Sequence, residues 1–174
     1  MSFDPLNLAR LVQAIAPGHH SQGRGVHGIV HWGRVLENGT RIAEATGADV
    51  HLVRLFAVFH DARRINDRGD PGHGARGGAL ARAMRDKWLD LSNEQMDLLE
   101  YACVYHTDGL TEADPTVQAC WDADRLDLPR VRITVKPDRL CTAAARVAET
   151  IAWADRRARA GHIPDFVSGW AGPV

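Results

Sequence analysis

The sequence predicts an all-α protein that folds as one domain. Apolar residues recur at the three-to-four-residue spacing of helices, and the strict alternation typical of strands is scarce. The chain has 174 residues, of which 45% are hydrophobic. A chain of this length buries roughly 70% of its unfolded surface. The links between segments are short and no internal repeat is present, so residues 1–174 are expected to share one core.

Glycine and proline divide the first half of the chain into helical segments. A helix is predicted from about residue 5 to residue 15, and residues 16–18 (Ala-Pro-Gly) end it. A glycine-rich stretch, residues 19–25, leads into a long helix that ends at residues 45–47. The almost wholly apolar segment 52–59 follows, and its composition predicts burial on nearly every side.

The middle of the chain contains a charged, glycine-rich loop at residues 63–74, followed by a helix at about 75–88. Ser92 begins the next helix, with Gln95 as its capping-box partner, and this helix runs to about residue 105. The capping signal places the start of this helix more firmly than periodicity alone.

The C-terminal part is predicted to be helical with one exception. A helix is expected at about 116–128, and residues 130–135 (RVRITV) form the one plausible short strand, which Pro137 ends. A last helix is expected at about 139–160. The tail beyond it is expected to pack back onto the domain through two aromatic residues, Phe166 and Trp170.

Composition and charge exclude several classes of partner. The 21 Lys and Arg residues nearly balance the 22 Asp and Glu residues, so the chain lacks the single sign of charge that a nucleic-acid polymer or a membrane surface attracts. No run of 18 apolar residues is present, and residues 1–17 resemble neither a signal peptide nor a transit peptide. Three widely spaced cysteines in apolar sequence indicate a reduced, cytoplasmic protein: Cys103, Cys120 and Cys141.

Nine histidines are the unusual feature of the composition. Projecting the predicted helices separates the histidines that face the interior from those expected to be solvated. Five separate segments each direct a His or an Asp toward the interior, because these residues continue an apolar stripe or end an apolar segment. They are His31, the pair His60 and Asp61, His73, His106 and Asp124. The other histidines fall in loops or at helix starts and, apart from His27, are expected to be solvated: His19, His20, His51 and His162.

These inward-facing polar residues need compensation, because a buried charge is costly unless it is paired or ligates a metal. Ion pairs with nearby arginines are one alternative for the aspartates, and a hydrogen-bonded core position is the alternative for any single histidine. Imidazole and carboxylate ligands together suit Mn, Fe, Co, Ni or Zn, with Mg a further candidate, and facing helices commonly build such sites. The sequence therefore predicts a buried divalent-metal site between helices.

The same residues resemble a known signature. His31 within HWGRV, the adjacent His60 and Asp61, and Asp124 within DADRL are similar to the H…HD…D motif of the HD-domain superfamily of metal-dependent phosphohydrolases. The likeness covers roughly residues 25–130. It implies an all-helical HD-type domain with one divalent metal held by these four residues, and a C-terminal helix and tail packed on that core. His27 is the alternative to His31 as the first ligand.

Two further histidines bear on the number of metal ions. His73, in HGARGGA, and His106, in YHTDG, are similar in placement to the extra histidines that hold a second metal in the binuclear HD branches. Those branches include phosphodiesterases and a smaller group of di-iron oxygenases. The alternative is that His73 caps its helix and His106 ends another, so one or two ions are expected.

The resemblance implies a hydrolase that acts on a small phosphorylated molecule, a nucleotide being one candidate, through a water activated by the metal. Asp61 is expected to align that water as well as bind the metal. Arg34, Arg63 and Arg64 are the nearest candidates for phosphate contacts. The alternative is that these arginines neutralise Asp61 and the acidic residues of the loop at 63–74.

The general base is less well indicated. Nucleotidases and alarmone hydrolases of the superfamily carry acidic residues three positions after the Asp of the HD pair, where this chain has Arg64. Asp67 and Asp122 are the candidate substitutes. This departure keeps open a non-catalytic domain that binds a metal or nucleotide for regulation, and the two further histidines, His73 and His106, keep open a di-iron oxygenase with six ligands. The sequence makes no prediction about oligomeric state.

Overall fold

The computed structural model describes residues 5–170, and this part of the chain contains eight α-helices and no β-strand. The helices are α1 Pro5–Ile15, α2 Ile29–Thr46, α3 Val50–Phe59, α4 His73–Trp88, α5 Asn93–Tyr105, α6 Pro115–Arg125, α7 Ala143–Arg146 and α8 Ala148–Arg159. Short 3-10 turns occupy Ala16–Gly18, Leu128–Val131, Pro137–Arg139 and Asp165–Trp170. The predicted all-α class is confirmed.

Helix α3 is the centre of the fold. Asp49 caps its start by accepting a hydrogen bond from the Leu52 amide at 3.1 Å. Its ten residues are largely apolar, and α2, α4, α5 and α6 surround it, so Phe56 and Phe59 are fully buried. Because α3 is enclosed in this way, the polar pair that follows it, His60 and Asp61, emerges inside the domain rather than at its surface.

The capping box predicted for α5 is present. The Gln95 amide donates to Ser92 Oγ and the Ser92 amide donates to Gln95 Oε1, each at 3.1 Å. Gln95 Nε2 also donates to Asp49 Oδ2 at 2.7 Å, which joins the starts of α5 and α3. The two helices therefore keep a fixed relative position.

Two glycines let α4 approach its neighbours closely. A Cβ at Gly74 would lie 2.2 Å from the Cys103 carbonyl oxygen of α5, and one at Gly77 would lie 2.3 Å from the Phe59 carbonyl oxygen of α3. No side chain fits in either gap, so the glycines set the distance between helices. This approach brings His73, the first residue of α4, to the end of α3.

The predicted strand at 130–135 is wrong. A 3-10 turn, Leu128–Val131, is followed by Arg132 in the left-handed region at φ 65°. The Arg130 guanidinium donates to the Val26 carbonyl oxygen at 2.9 Å, which fastens the segment to the loop before α2. Within residues 5–170 no strand offers the segment a ladder partner, so its β-branched residues have no sheet to join.

The predicted single helix at 139–160 is also wrong. The Asp122 carboxylate of α6 accepts hydrogen bonds from the Cys141 amide at 2.6 Å and the Thr142 amide at 2.8 Å. These bonds hold the backbone extended ahead of α7, which Thr142 caps, and Val147 is extended again at ψ 128°. The prediction failed because a long-range carboxylate outcompeted local helix propensity.

The C-terminal segment Asp165–Trp170 packs against α1 and α2. Trp170 is buried, whereas Phe166 stays partly exposed beside it, with ring centroids 5.2 Å apart. Residues 171–174, the last of the predicted tail, lie outside the described residues. Among the helices of residues 5–170, none is both long enough and apolar enough to cross a membrane.

Candidate metal centre

Four predicted ligands from three parts of the fold meet at the end of α3. His31 Nε2, on α2, lies 3.1 Å from His60 Nε2, 3.4 Å from Asp124 Oδ1 on α6 and 3.6 Å from Asp61 Oδ2. His60 Nε2 lies 3.7 Å from Asp61 Oδ2 and 3.8 Å from Asp124 Oδ1. The structure thus brings together all four residues of the predicted mononuclear site.

Hydrogen bonds at the far side of each ring leave the facing nitrogens without protons. His31 Nδ1 lies 2.7 Å from Asp127 Oδ2, and His60 Nδ1 lies 3.2 Å from the carbonyl oxygens of Phe56 and Ala57. Each partner only accepts, so Nδ1 carries a proton in each ring and Nε2 is available to present a lone pair. Two such nitrogens 3.1 Å apart, beside two carboxylate oxygens, suit a cation between them, and the residues fit a divalent metal.

A second group repeats this arrangement. His73 Nδ1 is hydrogen-bonded to the Asp70 carbonyl oxygen, and His106 Nδ1 donates to the Cys103 carbonyl oxygen at 2.7 Å. The two Nε2 atoms face each other at 2.9 Å. His73 Nε2 lies 3.2 Å from Asp61 Oδ1, and His106 Nε2 lies 3.8 Å from the same oxygen. By the same reasoning both Nε2 atoms present lone pairs, so these residues also suit a metal ion.

Asp61 belongs to both groups and divides its oxygens between them. Oδ2 faces His31 and His60, whereas Oδ1 faces His73 and His106. A carboxylate with one oxygen directed to each group is suited to bridge two ions. The geometry therefore offers ligands for two neighbouring positions, the first formed by His31, His60, Asp61 and Asp124, the second by Asp61, His73 and His106.

Electrostatics favours the protonation states that metal ligands need. Burial lowers the pKa of His31 well below its ordinary value and lowers the pKa of His106 to about 4. Burial alone would raise the pKa of Asp61, but the interaction with His60 and the hydrogen bond with His27 hold it well below its usual range. At neutral pH His31 and His106 are thus neutral and the Asp61 carboxylate is ionised, as metal binding requires.

His27 lies in the turn before α2 rather than on that helix. Its Nδ1 is 2.7 Å from Asp61 Oδ2, and it forms a further possible ligand group with His31 and Asp61. This placement is compatible with the predicted role of alternative ligand, and it also lets His27 orient Asp61 as a neighbour of the ligands.

Asp127 is a site residue that the sequence reasoning missed. Its buried carboxylate accepts from His31 Nδ1 through Oδ2 and from Arg34 Nε through Oδ1, each at 2.7 Å. A signal was available, because Asp127 follows Asp124 by three residues, and a turn beyond the end of α6, closed by the Asp127 amide on the Asp124 carbonyl oxygen at 2.9 Å, keeps the two residues close. Asp127 fixes the ring orientation and the tautomer of His31.

The three arginines predicted to contact phosphate differ in their surroundings. Arg34 donates twice to Asp127 and once to the His162 carbonyl oxygen, which engages all three of its nitrogens. Arg64 donates to Asp61 Oδ1 at 3.2 Å, as the neutralising alternative expected. Arg63 donates only through Nη1, to the carbonyl oxygens of Ile15 and Ala62, and its other nitrogens have no hydrogen bond within residues 5–170.

Neither candidate general base has a hydrogen bond or ion pair with the ligand cluster among the described residues. Asp122 is fully buried and accepts three hydrogen bonds, all from Cys141 and Thr142. It points away from Asp124 because two residues on a helix are about 200° apart, and this placement argues against Asp122 as the base. Asp67 is exposed on the loop, where its carboxylate pairs with His20 Nε2 at 3.1 Å.

The expectation that His19 is solvated is wrong. Its ring is 2% exposed and packs edge-on against Trp32, with ring centroids 5.9 Å apart. Nδ1 accepts from the Ser21 amide, so the proton lies on Nε2, which has no hydrogen-bond partner among the described residues. The glycine-rich loop folds this histidine inward. The other three, His20, His51 and His162, are exposed as expected.

Comparison with known proteins bears on the fold. No family model matches the sequence, and no curated protein matches it. A crystal structure described as a predicted HD superfamily hydrolase, from an uncultured Thermotogales bacterium, is similar with a TM-score of 0.60 and 22% sequence identity. The likeness covers 86% of this chain and 82% of that one. This chain therefore has the all-helical fold of that HD superfamily hydrolase, as its H…HD…D residues predicted.

Proposed function

We propose that the protein is a metal-dependent phosphohydrolase of the HD superfamily that acts on a small phosphorylated molecule. The observation that carries the proposal is the convergence of His31, His60, Asp61 and Asp124, whose unprotonated nitrogens and carboxylate oxygens face one point. A purely structural role would leave these lone pairs opposed without a cation. The fold and the motif support the same assignment.

A bound divalent metal would lower the pKa of a coordinated water and polarise a phosphoryl oxygen. The residues of the chain supply the remaining parts of the reaction. Asp61, ionised and bonded to His27, is placed to accept a hydrogen bond from the attacking water and so to align it. Asp127 keeps the His31 ring in the orientation that directs Nε2 into the site.

Phosphate charge requires donors, and Arg63 is the best candidate of the three arginines. Arg34 and Arg64 use all three of their nitrogens for protein acceptors, whereas Arg63 keeps two nitrogens without a partner in the described residues. We therefore assign the phosphate contact to Arg63. Asp67 is retained as the candidate general base, because Arg64, which bonds Asp61, also holds the loop backbone on either side of Asp67.

The test is turnover by purified protein reconstituted with Mn²⁺, Fe²⁺, Co²⁺, Ni²⁺, Zn²⁺ or Mg²⁺ against a panel of nucleotides and phosphoesters. Release of phosphate or pyrophosphate is expected, and His60→Gln should reduce it about 100-fold or more. His51→Gln is the matched control, since His51 is exposed on the same helix, and it should keep full activity. No release of phosphate or pyrophosphate with any metal would contradict the proposal.

The second group, His73 and His106, favours one further candidate, a di-iron oxygenase. Six ligands around two positions are what that reaction class uses in this superfamily, and the structure brings all six together. Iron retained after native expression, with oxygen uptake and an oxidised product but no phosphate release, would favour this alternative. A non-catalytic regulatory domain is excluded if Asp61→Ala abolishes a measured turnover.

The proposal includes the partner and the location of the protein. The partner is the small phosphorylated substrate rather than a nucleic-acid polymer or a membrane, as the balanced charge of the chain supports. A cytoplasmic location is proposed because Cys103, Cys120 and Cys141 are all free thiols.

A further inference from the structure

Arg64 shares an oxygen with the second metal position. Its Nη1 donates to Asp61 Oδ1 at 3.2 Å, and His73 Nε2 lies 3.2 Å from that same oxygen. Arg64 makes no contact with Oδ2, the oxygen directed to His31 and His60. Arg130 lies on the other side, but it contacts His27 and Asp127 rather than an oxygen of Asp61, so within residues 5–170 Arg64 is the arginine that bonds Asp61.

The other two nitrogens of Arg64 hold the loop between α3 and α4. Nε donates to the Asn66 carbonyl oxygen at 3.2 Å, and Nη2 donates to the Arg68 carbonyl oxygen at 2.8 Å. The side chain is buried, so these bonds fix the guanidinium in place rather than leaving it free to swing into solvent. Asp61 and the loop backbone are therefore joined through a single side chain.

We propose that Arg64 makes the two metal positions unequal by weakening the second. The inference rests on the proposed function for the presence of metal, and adds that this chain's own guanidinium competes for the oxygen that the second ion needs. Two positive charges directed at one carboxylate oxygen repel each other, and the interaction is strong in a buried site. The first position is served by Asp61 Oδ2 and by Asp124, and among residues 5–170 neither bonds an arginine, so no guanidinium competes directly for these oxygens.

The loop should respond to occupancy of the second position. If the second ion draws Oδ1 away from Arg64, the guanidinium loses one of its three acceptors, and its hold on the loop at Asn66 and Arg68 weakens. Loading of the second ion is then coupled to the order of residues 65–69, which lie beside the cluster.

The experiment is a titration of metal-free full-length protein with Mn²⁺, followed by calorimetry and by manganese electron paramagnetic resonance. Wild type should bind one ion tightly and a second at least about tenfold more weakly, the size of effect expected from a group bonded to a ligand. Arg64→Gln should tighten the second ion about tenfold and leave the first within about threefold. Arg64→Lys, which keeps the charge, should resemble wild type in the affinity of the second ion.

Arg63→Gln is the matched control for metal binding, because Arg63 is the neighbouring arginine and its hydrogen bonds within residues 5–170 go to Ile15 and Ala62 rather than to Asp61. It should leave both affinities unchanged. Limited proteolysis should cut Arg64→Gln faster than Arg63→Gln within residues 65–69. The inference is overturned if Arg64→Gln binds the second ion no more tightly than wild type while the first ion still binds. Failure of wild type and Arg64→Gln to bind any ion would overturn the proposed function as well, which separates the two failures.

Discussion

Asp127 offers a sharp test of how the site is built, because one carboxylate serves both stability and metal binding. It is 1% exposed and lies 2.7 Å from both His31 Nδ1 and Arg34 Nε. Replacing Asp127 with leucine leaves the buried Arg34 guanidinium without its counter-ion. Breaking a buried ion pair from one side costs about 3–5 kcal/mol, so the free energy of unfolding should fall by that amount.

The same substitution should also weaken metal binding. Without Asp127, the His31 ring loses the acceptor that keeps its proton on Nδ1 and its Nε2 directed at the first position. Loss of such an outer acceptor weakens metal affinity by about 10–100-fold. The stability effect and the metal effect therefore have different structural causes.

Two measurements separate the loss of stability from the loss of metal affinity: urea denaturation of metal-free protein, and metal titration. Each is made on Asp127→Leu, Arg34→Met and the double variant. Removing both charges leaves no unpaired ion, so the double variant should be more stable than the sum of the single effects predicts by about 2 kcal/mol or more. Metal affinity should stay low in the double variant, because His31 still lacks its acceptor. Additive losses of stability, or full metal affinity without Asp127, would refute this reasoning.

Three further predictions follow from buried groups outside the ligand set. Asp122→Asn should lower the free energy of unfolding by about 1–3 kcal/mol, because its buried hydrogen bonds weaken, yet leave metal affinity unchanged in a titration. Burial lowers the pKa of His19 to about 4, so below pH 6.5 the unfolded chain binds more protons than the folded protein, and the free energy of unfolding falls by at most about 1.4 kcal/mol per pH unit as the pH drops toward 4. In urea denaturation of metal-free protein, His19→Phe should show a shallower fall with pH than wild type. An equal slope in the two proteins would contradict this prediction. Gly74→Ala would place a Cβ 2.2 Å from the Cys103 carbonyl oxygen, so it should destabilise the fold by about 1–3 kcal/mol and reduce binding of the second ion, whereas Gly69→Ala, with open space around it, should do neither.

Local signals in the sequence were sufficient for most of the fold. The capping pair Ser92 and Gln95 marks the start of α5, and the Ala-Pro-Gly break at 16–18 marks the end of α1, because both act within a few residues. The segments at 130–135 and 139–160 were mispredicted for the opposite reason. Their conformation is set by Asp122 and by the loop before α2, which are distant in sequence.

In the site, as in the fold, features set by local sequence were predicted and features set by distant residues were missed. Polar residues on apolar stripes identified the side chains that converge at the end of α3, because a helix fixes where each side chain points. Asp127 and the buried His19 were missed, since the first depends on pairing with Arg34 across the fold and the second on the course of a glycine-rich loop. The preference of Arg64 for Asp61 over phosphate likewise depends on distances that no spacing rule supplies.

The central claim is that His31, His60, Asp61 and Asp124 hold a divalent metal. Crystals grown with Mn²⁺ and measured for anomalous diffraction test it most directly. The prediction is a strong anomalous peak bounded by these four residues, and at higher Mn²⁺ a second peak about 3.5–4 Å away on the Asp61 Oδ1 side, beside His73 and His106. A map at saturating Mn²⁺ with no peak within ligand distance of His31 and His60 would contradict it.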